Sequence, residues 1–205
     1  MIWSEYKTGV SMALISAVCF ALSNTLAGLA YTGGMTPVTL SATRFFLPTV
    51  ILLTLLSLQG TPIIMSKKSG YIAVILGVIT IIYNLALLIA IERLPVPIAI
   101  LIFFLFPIIT GVTLTLTGVE TFTITKIIGA ILALFGLALV LGVSIHELDG
   151  LGIFLASIAA IGLATVSILS HYLIRGEDPR QATLYMAASA LAIMTVAMTI
   201  RGELD

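Results

Sequence analysis

Residues 84–120 read NLALLIAIERLPVPIAILIFFLFPIITGVTLTLTGVE, which is two apolar runs joined by a proline turn. Pro95 and Pro97 cannot continue the first helix, but they fit the first turn of the second. Pro107 lies inside the second run and removes one backbone hydrogen bond there. Because neighbouring helices in a bilayer can satisfy the freed carbonyl, these three hinge prolines predict a membrane helix bundle.

The composition supports a membrane protein. Apolar residues make up 60% of the chain and charged residues 9%, whereas a globular domain is about half apolar and about a quarter charged. The nine acidic and nine basic residues balance, so no charged face predicts nucleic-acid binding. The single cysteine, Cys19, excludes an intramolecular disulfide. Since the two histidines and this cysteine form no ligand cluster, we predict no metal and no cofactor.

Seven apolar runs are long enough to cross a bilayer, which takes about 20 residues of helix. We therefore predict an all-α, polytopic transmembrane bundle. Its helices are Gly9–Tyr31, Val38–Leu58, Tyr71–Ile91, Val96–Thr117, Thr125–Ile145, Gly150–Leu173 and Ala182–Ile200. Basic residues in short loops favour the cytoplasmic side. A cytoplasmic N-terminus places six of them inside (Lys7, Lys67, Lys68, Lys126, Arg175 and Arg180) and two, Arg93 and Arg201, outside.

An internal similarity links the first and sixth predicted helices. A shift of 143 residues aligns Gly9, Ala13, Ala17 and Ala21 with Gly152, Ala156, Ala160 and Ala164. Small residues are common in membrane helices, which is the simpler explanation. However, Pro37 and Pro179 then each begin the next helix. We predict a five-helix repeat over residues 7–145 and the start of an inverted second repeat over 149–205.

Five short motifs occur in a fixed order along the first predicted repeat. They are Thr36-Pro37-Val38 with Arg44-Phe45-Phe46, Ala90 to Pro95, Pro107-Ile108, Gly118-Val119-Glu120, and Lys126 with Gly129. Together they resemble the EamA-like repeat of the drug/metabolite transporter superfamily, and the resemblance covers most of the chain. Members of that superfamily usually carry two five-helix repeats. The resemblance therefore implies that this chain is a truncated member.

The resemblance implies a function in transport and not in catalysis. We expect a multi-pass protein of the cytoplasmic membrane that moves small metabolites or drugs, amino acids or related anionic solutes among them, by alternating access. Its partners would be the solute and the lipid bilayer, and both proton coupling and a homo-oligomer stay open. The alternative is a non-transporting seven-helix membrane protein, either receptor-like or a structural fragment.

Polar residues inside the predicted helices are the candidate site, because burying them in lipid is costly. On the predicted topology Asn24, Arg44, Tyr83 and Asn84 share the outer half of the membrane. We expect Arg44 to anchor an anionic group and the two asparagine amides to orient it. The competing interpretation is that Arg44 extends to the headgroups and the asparagines join helices.

Three further residues are weaker candidates. Ser167 aligns with Asn24 under the 143-residue shift and could face the same cavity, although a serine that bonds its own helix is more common. His171 is a candidate for proton coupling because of its titration range, and an interfacial histidine is the alternative. Tyr185 either lines the cavity or packs against a neighbouring helix.

A seam of small residues is predicted on the fifth helix. Gly129, Ala133 and Gly136 recur at helical spacing. We expect this seam to pack against the proline-hinged helix or against a second subunit.

Overall fold

The computed structural model describes residues 2–118, 123–141, 149–174 and 176–202. Over these ranges the chain consists of helices and turns without a strand, so the predicted all-α class is confirmed. The helices are α1 (Ile2–Thr32), α2 (Pro37–Leu58), α3 (Lys67–Arg93), α4 (Val96–Phe103), α5 (Phe106–Leu116), α6 (Ile124–Leu141), α7 (Gly150–Leu173) and α8 (Pro179–Arg201). The fourth predicted helix corresponds to α4 and α5 together.

Within the described ranges, six helical segments have the length and apolar composition to cross a membrane, and α4 with α5 counts as one of them. In α6 the apolar stretch Ile127–Leu139 is shorter. The predicted continuation of this helix to Ile145 lies outside the described residues. So do Val119, Glu120 and Arg175, as well as the side chains of Lys126 and Arg201.

The fourth predicted helix is interrupted before Pro107 and not at it. The break falls at Phe104 and Leu105, and Pro107 lies in the first turn of α5. The reason is steric, because a proline disfavours helical geometry in the residue before it and cannot donate a hydrogen bond to the carbonyl four residues earlier. Pro48, in contrast, lies inside α2 without ending that helix.

Side-chain caps determine where four of the helices begin. Thr36, Ser66, Asp149 and Asp178 each accept a hydrogen bond from a backbone N–H in the first turn of α2, α3, α7 and α8 respectively. Such caps satisfy N–H groups that have no partner within the helix. Three of these helices, α2, α3 and α8, therefore begin before the apolar runs that were predicted for them.

The chain forms two compact units, Met1–Met35 and Thr36–Asp205. The first unit contains α1. In the second unit, α3 packs against α7 and α8, and α8 also packs against α2.

Helix directions in the second unit follow from contacts near the helix ends. Gln59, just after α2, bonds Arg180 at the start of α8, while Val38 at the start of α2 packs in one cluster with Met194 late in α8. These two helices are therefore antiparallel. Similarly, Leu94 at the end of α3 lies against Gly152 at the start of α7. These directions agree with successive crossings of a membrane.

Gly77 and Gly162 lie where helices of the second unit pack closely. A Cβ added at Gly77 would clash with the Ser189 hydroxyl and lie 2.8 Å from the Met186 carbonyl oxygen. A Cβ added at Gly162 would lie 2.5 Å from the Cβ of Tyr83. Small residues allow backbones to approach in this way, and packing of this kind stabilises helix pairs in lipid.

The predicted seam on α6 makes no comparably close contact among the described residues. An added Cβ at Gly129 or Gly136 would meet no atom within 4 Å. Ala133 lines an apolar cavity of about 310 Å³ that also includes Pro107 and Phe104. Of the three seam residues, Ala133 thus lies across this cavity from Phe104 and Pro107, and the packing role of the seam stays a prediction.

Candidate functional site

A hydrogen bond between α2 and α3 marks the candidate site. Ser41 Oγ donates to Asn84 Oδ1 over 3.1 Å. Ser41 is fully buried and Asn84 is half-buried. Buried polar side chains in an apolar bundle require partners, and this bond pairs the Ser41 hydroxyl with the Asn84 oxygen across two helices.

Arg44 lies one turn along α2 from Ser41, and residues three apart share a helix face. The guanidinium interacts electrostatically with Tyr83 on α3. Arg44 is half-buried. We call Ser41, Arg44 and Asn84 the Arg44 layer. Arg44 itself lies seven residues after Pro37, the first residue of α2, or about 10 Å along the axis at 1.5 Å per residue.

An aromatic cluster adjoins Tyr83. The ring of Tyr83 stacks on that of Phe103, with centroids 6.4 Å apart and planes inclined by 27°. Phe103 is almost fully buried, and its ring also contacts those of Phe104 and Phe106. Tyr83 thus joins the polar side chains of α3 to the residues at the break between α4 and α5.

Asn24 belongs to α1, in the first compact unit. Its Nδ2 donates to the Phe20 carbonyl oxygen over 3.0 Å. Ser167, which aligns with Asn24, makes the corresponding bond to the Leu163 carbonyl oxygen over 2.8 Å. Both side chains therefore bond the backbone four residues earlier. The part of Asn24 in solute binding stays a prediction.

Ser167 and His171 line a groove of about 600 Å³ between the end of α7 and the start of α8. Glu177 and Thr183 also line it. The His171 side chain is exposed, and its ring meets that of Tyr172 edge-on at 5.4 Å. The structure thus brings two of the predicted residues together in this groove, separate from Asn84.

Tyr185 packs near the start of α3. Its ring would lie 3.4 Å from a Cβ added at Gly70, and it covers the cluster that includes Ala73 and Ile174. Gly70 precedes Asn84 by 14 residues, which is about 20 Å of helix. Tyr185 and the Arg44 layer therefore lie at different depths.

The end of the second unit at which α3 begins, called the Lys67 end, carries a polar network between two turns. Ser66 Oγ donates to Glu177 Oε1 over 2.9 Å, and Arg180 Nη1 donates to Gln59 Oε1 over 2.5 Å. Arg180 also pairs with Asp178 at 2.7 Å. This pairing and the backbone N–H of Arg180 lower the pKa of the Asp178 carboxyl.

The opposite end, called the Arg93 end, carries one ion pair among the described residues. Arg93 Nη1 lies 3.1 Å from Asp149 Oδ2. The Leu151 backbone N–H, together with Arg93, lowers the pKa of the Asp149 carboxyl. Both side chains are more than a third exposed, so the pair contributes little by itself.

Comparison with known proteins identifies the family. The model of the EamA-like transporter family matches residues 7–142, about two thirds of the chain. This chain belongs to the EamA-like transporter family. No curated protein and no solved structure shows a significant match to it. Membership and the apolar helices together make it a multi-pass membrane protein of a transporter family.

The matched part of this EamA-like chain spans α1 to α6. It contains the whole Arg44 layer and the hinge prolines Pro95, Pro97 and Pro107. Pro95 occupies the N-cap position of α4, and Pro97 lies in the first turn of that helix. Ser167, His171 and Tyr185 lie beyond the matched part.

Sequence reasoning missed two residues of this EamA-like site. Ser41 precedes Arg44 by three positions and so shares its helix face, which was the signal available. Phe103 carries no polar group that would mark it in an apolar run, and its stacking on Tyr83 is visible only in the fold. Serine and phenylalanine are otherwise so common in membrane helices that their presence does not predict a site residue.

Proposed function

We propose that this EamA-like chain carries small anionic solutes, such as amino acids or related carboxylates, across the cytoplasmic membrane. The observation that supports this most directly is the Arg44 layer, a cation and an amide held between apolar helices. A charge at such a depth is costly unless it serves a pathway or a ligand. Arg44 would bind the anionic group of the solute, and the Asn84 amide would orient it.

The mechanism that we propose is alternating access around this layer. The second unit supports it in two ways. The helix after Pro37 and the helix after Pro179, which are counterparts in the predicted repeat, pack antiparallel as an inverted repeat requires. In addition, the break between α4 and α5 adjoins Tyr83 through Phe103. A break in a helix is a place where one bundle can move against another.

We further propose that the Lys67 end faces the cytoplasm. Lys67, Lys68 and Arg180 lie at that end, against Arg93 at the other, and basic residues are retained inside. A proton is the proposed coupling ion, with His171 as the candidate carrier, since its side chain is exposed in a groove at the Lys67 end.

Uptake and efflux by proteoliposomes across a panel of metabolites, with and without an imposed pH gradient, test the function. We expect Arg44→Leu to abolish transport while membrane insertion stays normal. The matched control is Thr43→Ala on the same helix, because the Thr43 hydroxyl bonds its own backbone at Leu40 and is exposed. Transport by Arg44→Leu at the rate of the unmodified chain would overturn the proposal.

A further inference from the structure

We propose that the groove between the end of α7 and the start of α8 binds a protonated primary amine, whose charge pairs with the Glu177 carboxylate. The groove belongs to the Lys67 end, whereas Asn84 lies 17 residues after Lys67, which is about 25 Å of helix. The site is therefore separate from the Arg44 layer. The inference does not rest on the proposed transport of anions.

The groove has the size of a small-molecule site. Its volume is about 600 Å³, and such sites usually occupy about 300–1,000 Å³. One face of each helix forms a wall, because the lining residues recur at spacings of three or four positions. They include Ser167, Ser170 and the C-cap residue Ile174 from α7, and Ala182, Thr183 and Met186 from α8. The apolar members of this set would pack against the alkyl part of a ligand.

The three hydroxyls that line the groove can offer only acceptors to a ligand. Each hydroxyl has one hydrogen, and each donates it to a backbone carbonyl oxygen of its own helix. Ser167 and Thr183 donate over 2.8 Å to carbonyls four positions earlier, and Ser170 donates over 3.1 Å to that of Ser167. A carbonyl oxygen cannot donate in return, so the direction of these bonds is fixed. The lone pairs that remain favour a ligand with N–H groups.

Glu177 supplies a negative charge to the groove. Its side chain is half-buried, and its Oε1 accepts the Ser66 hydroxyl over 2.9 Å. Among the described residues that line the groove there is no lysine or arginine. Arg180 follows three positions later, but it pairs with Asp178 and donates to Gln59. The carboxylate therefore favours a cationic ligand.

The helix ends and His171 fit the same ligand. The last carbonyls of α7 carry partial negative charge, and Asp178 caps the start of α8, where the partial charge is positive. His171 adds a ring nitrogen that accepts when the imidazole is neutral. A primary ammonium group has three N–H donors and no acceptor, so it complements the carboxylate, the hydroxyl oxygens and this nitrogen. A ligand carboxylate would instead be repelled by Glu177.

Met186 makes the groove accessible to measurement. The full chain in detergent micelles, labelled with ¹³C at the methionine methyl groups, gives a Met186 signal that Met186→Leu identifies. Met194, identified in the same way, is the internal reference because it is buried in a cluster with Val38. The probes are n-butylammonium chloride, butan-1-ol as the neutral analogue and sodium butyrate as the anionic one, all at constant ionic strength.

We expect n-butylammonium to shift the Met186 signal saturably and to leave Met194 unchanged, whereas butanol and butyrate have no saturable effect. Glu177→Gln keeps an oxygen for the Ser66 hydroxyl but removes the charge, so it should weaken n-butylammonium binding at least tenfold. Asp178→Asn is the matched control. It removes a negative charge from the next position, which does not line the groove, and its affinity should stay within about twofold of that of the unmodified chain.

A second pair of variants tests the hydroxyls. Thr183→Val removes one acceptor oxygen with little change of shape and should weaken n-butylammonium binding about threefold. Its control is Thr195→Val, because the Thr195 hydroxyl makes the same kind of backbone bond on α8 but does not line the groove. Thr195→Val should bind like the unmodified chain.

Equal effects of n-butylammonium and butanol on Met186 would overturn the inference, and so would unchanged n-butylammonium binding in Glu177→Gln. The comparison of the probes needs no variant, so a folding defect cannot protect the inference. Lipid nanodiscs distinguish the two sources of a primary ammonium group. Weaker n-butylammonium binding in discs with phosphatidylethanolamine than in discs of phosphatidylcholine alone would assign the groove to the lipid headgroup, and equal binding would assign it to a soluble amine.

Discussion

Arg93 Nη1 lies 3.1 Å from Asp149 Oδ2 and joins the end of α3 to the start of α7, 56 positions further along the chain. The same carboxylate accepts the Leu151 backbone N–H over 2.9 Å and so caps α7. One side chain thereby sets the start of a helix and ties it to its antiparallel neighbour.

Replacement of Arg93 by alanine should lower the melting temperature only slightly, on the order of 1–3 °C, because exposed ion pairs contribute little. Arg93→Lys, which keeps the charge, should show a smaller decrease. Both effects should shrink in high salt, since exposed charges are screened. Thermal unfolding in detergent at two salt concentrations measures these changes in melting temperature. A large, salt-independent loss in Arg93→Ala would contradict it.

Stability should fall in acid partly through Asp149. Its folded pKa is lowered, mainly by the Leu151 N–H and then by Arg93, relative to an unfolded value of about 3.9. The folded state therefore binds fewer protons, and this contribution is present above that value and lost as the pH falls through the lowered pKa. Asp149→Asn keeps a cap without a charge. A melting-temperature profile from pH 7 to pH 3 should be flatter for Asp149→Asn, and an equally steep profile would refute the assignment.

Gly77→Ala should destabilise the contact between α3 and α8. The new Cβ would meet the Ser189 hydroxyl and the Met186 carbonyl oxygen at 2.8 Å, and the backbone atom cannot move cheaply. Overpacking of this kind costs about 1–3 kcal/mol. Gly129→Ala is the matched control, because no atom lies within 4 Å of its added Cβ, and it should be neutral or mildly stabilising. Chemical unfolding in detergent compares them, and equal stability of the two variants would count against the packing described.

Cysteines placed at the two ends of the second unit should report helix directions and sidedness. In a chain with Cys19 replaced by alanine, Ser66→Cys with Glu177→Cys should cross-link through a short bis-maleimide, because the native side chains lie 2.9 Å apart. Ser66→Cys with Asp149→Cys should not, since α7 separates these positions by about 36 Å at 1.5 Å per residue.

The same single variants test the proposed orientation. In intact cells a membrane-impermeant maleimide should label Asp149→Cys, whereas Ser66→Cys should become labelled after permeabilisation. The reverse pattern would place the N-terminus outside.

The helix class and most of the helix positions could be predicted because hydrocarbon imposes a minimum apolar length and forces backbone groups to bond within a helix. The position of the break near Pro107 could not be predicted in this way. The sequence marked a disturbance in the fourth helix, but the break falls at Phe104 and Leu105, where neighbouring rings pack. Pro48 also lacks a backbone N–H, yet α2 continues through it.

The candidate site was predicted in part. Arg44, Tyr83 and Asn84 stood out because charge and polarity are rare within apolar runs. Ser41 did not stand out, since a hydroxyl usually bonds its own helix, and its bond to Asn84 depends on how α2 and α3 meet. Ser167 and Tyr185 also carry polar groups, yet they lie at other depths of the second unit.

For this protein the sequence by itself determined the membrane class, the number and order of the predicted helices, and the family, because these depend on apolar length and on local motifs. The tertiary structure decided which polar groups meet: Ser41 with Asn84, Arg93 with Asp149, and Glu177 with Ser66. The physical reason is that lipid is as apolar as a helix interface, so hydrophobic periodicity does not mark which face of a helix meets its neighbour. Close packing at residues such as Gly77 determines which helix faces meet.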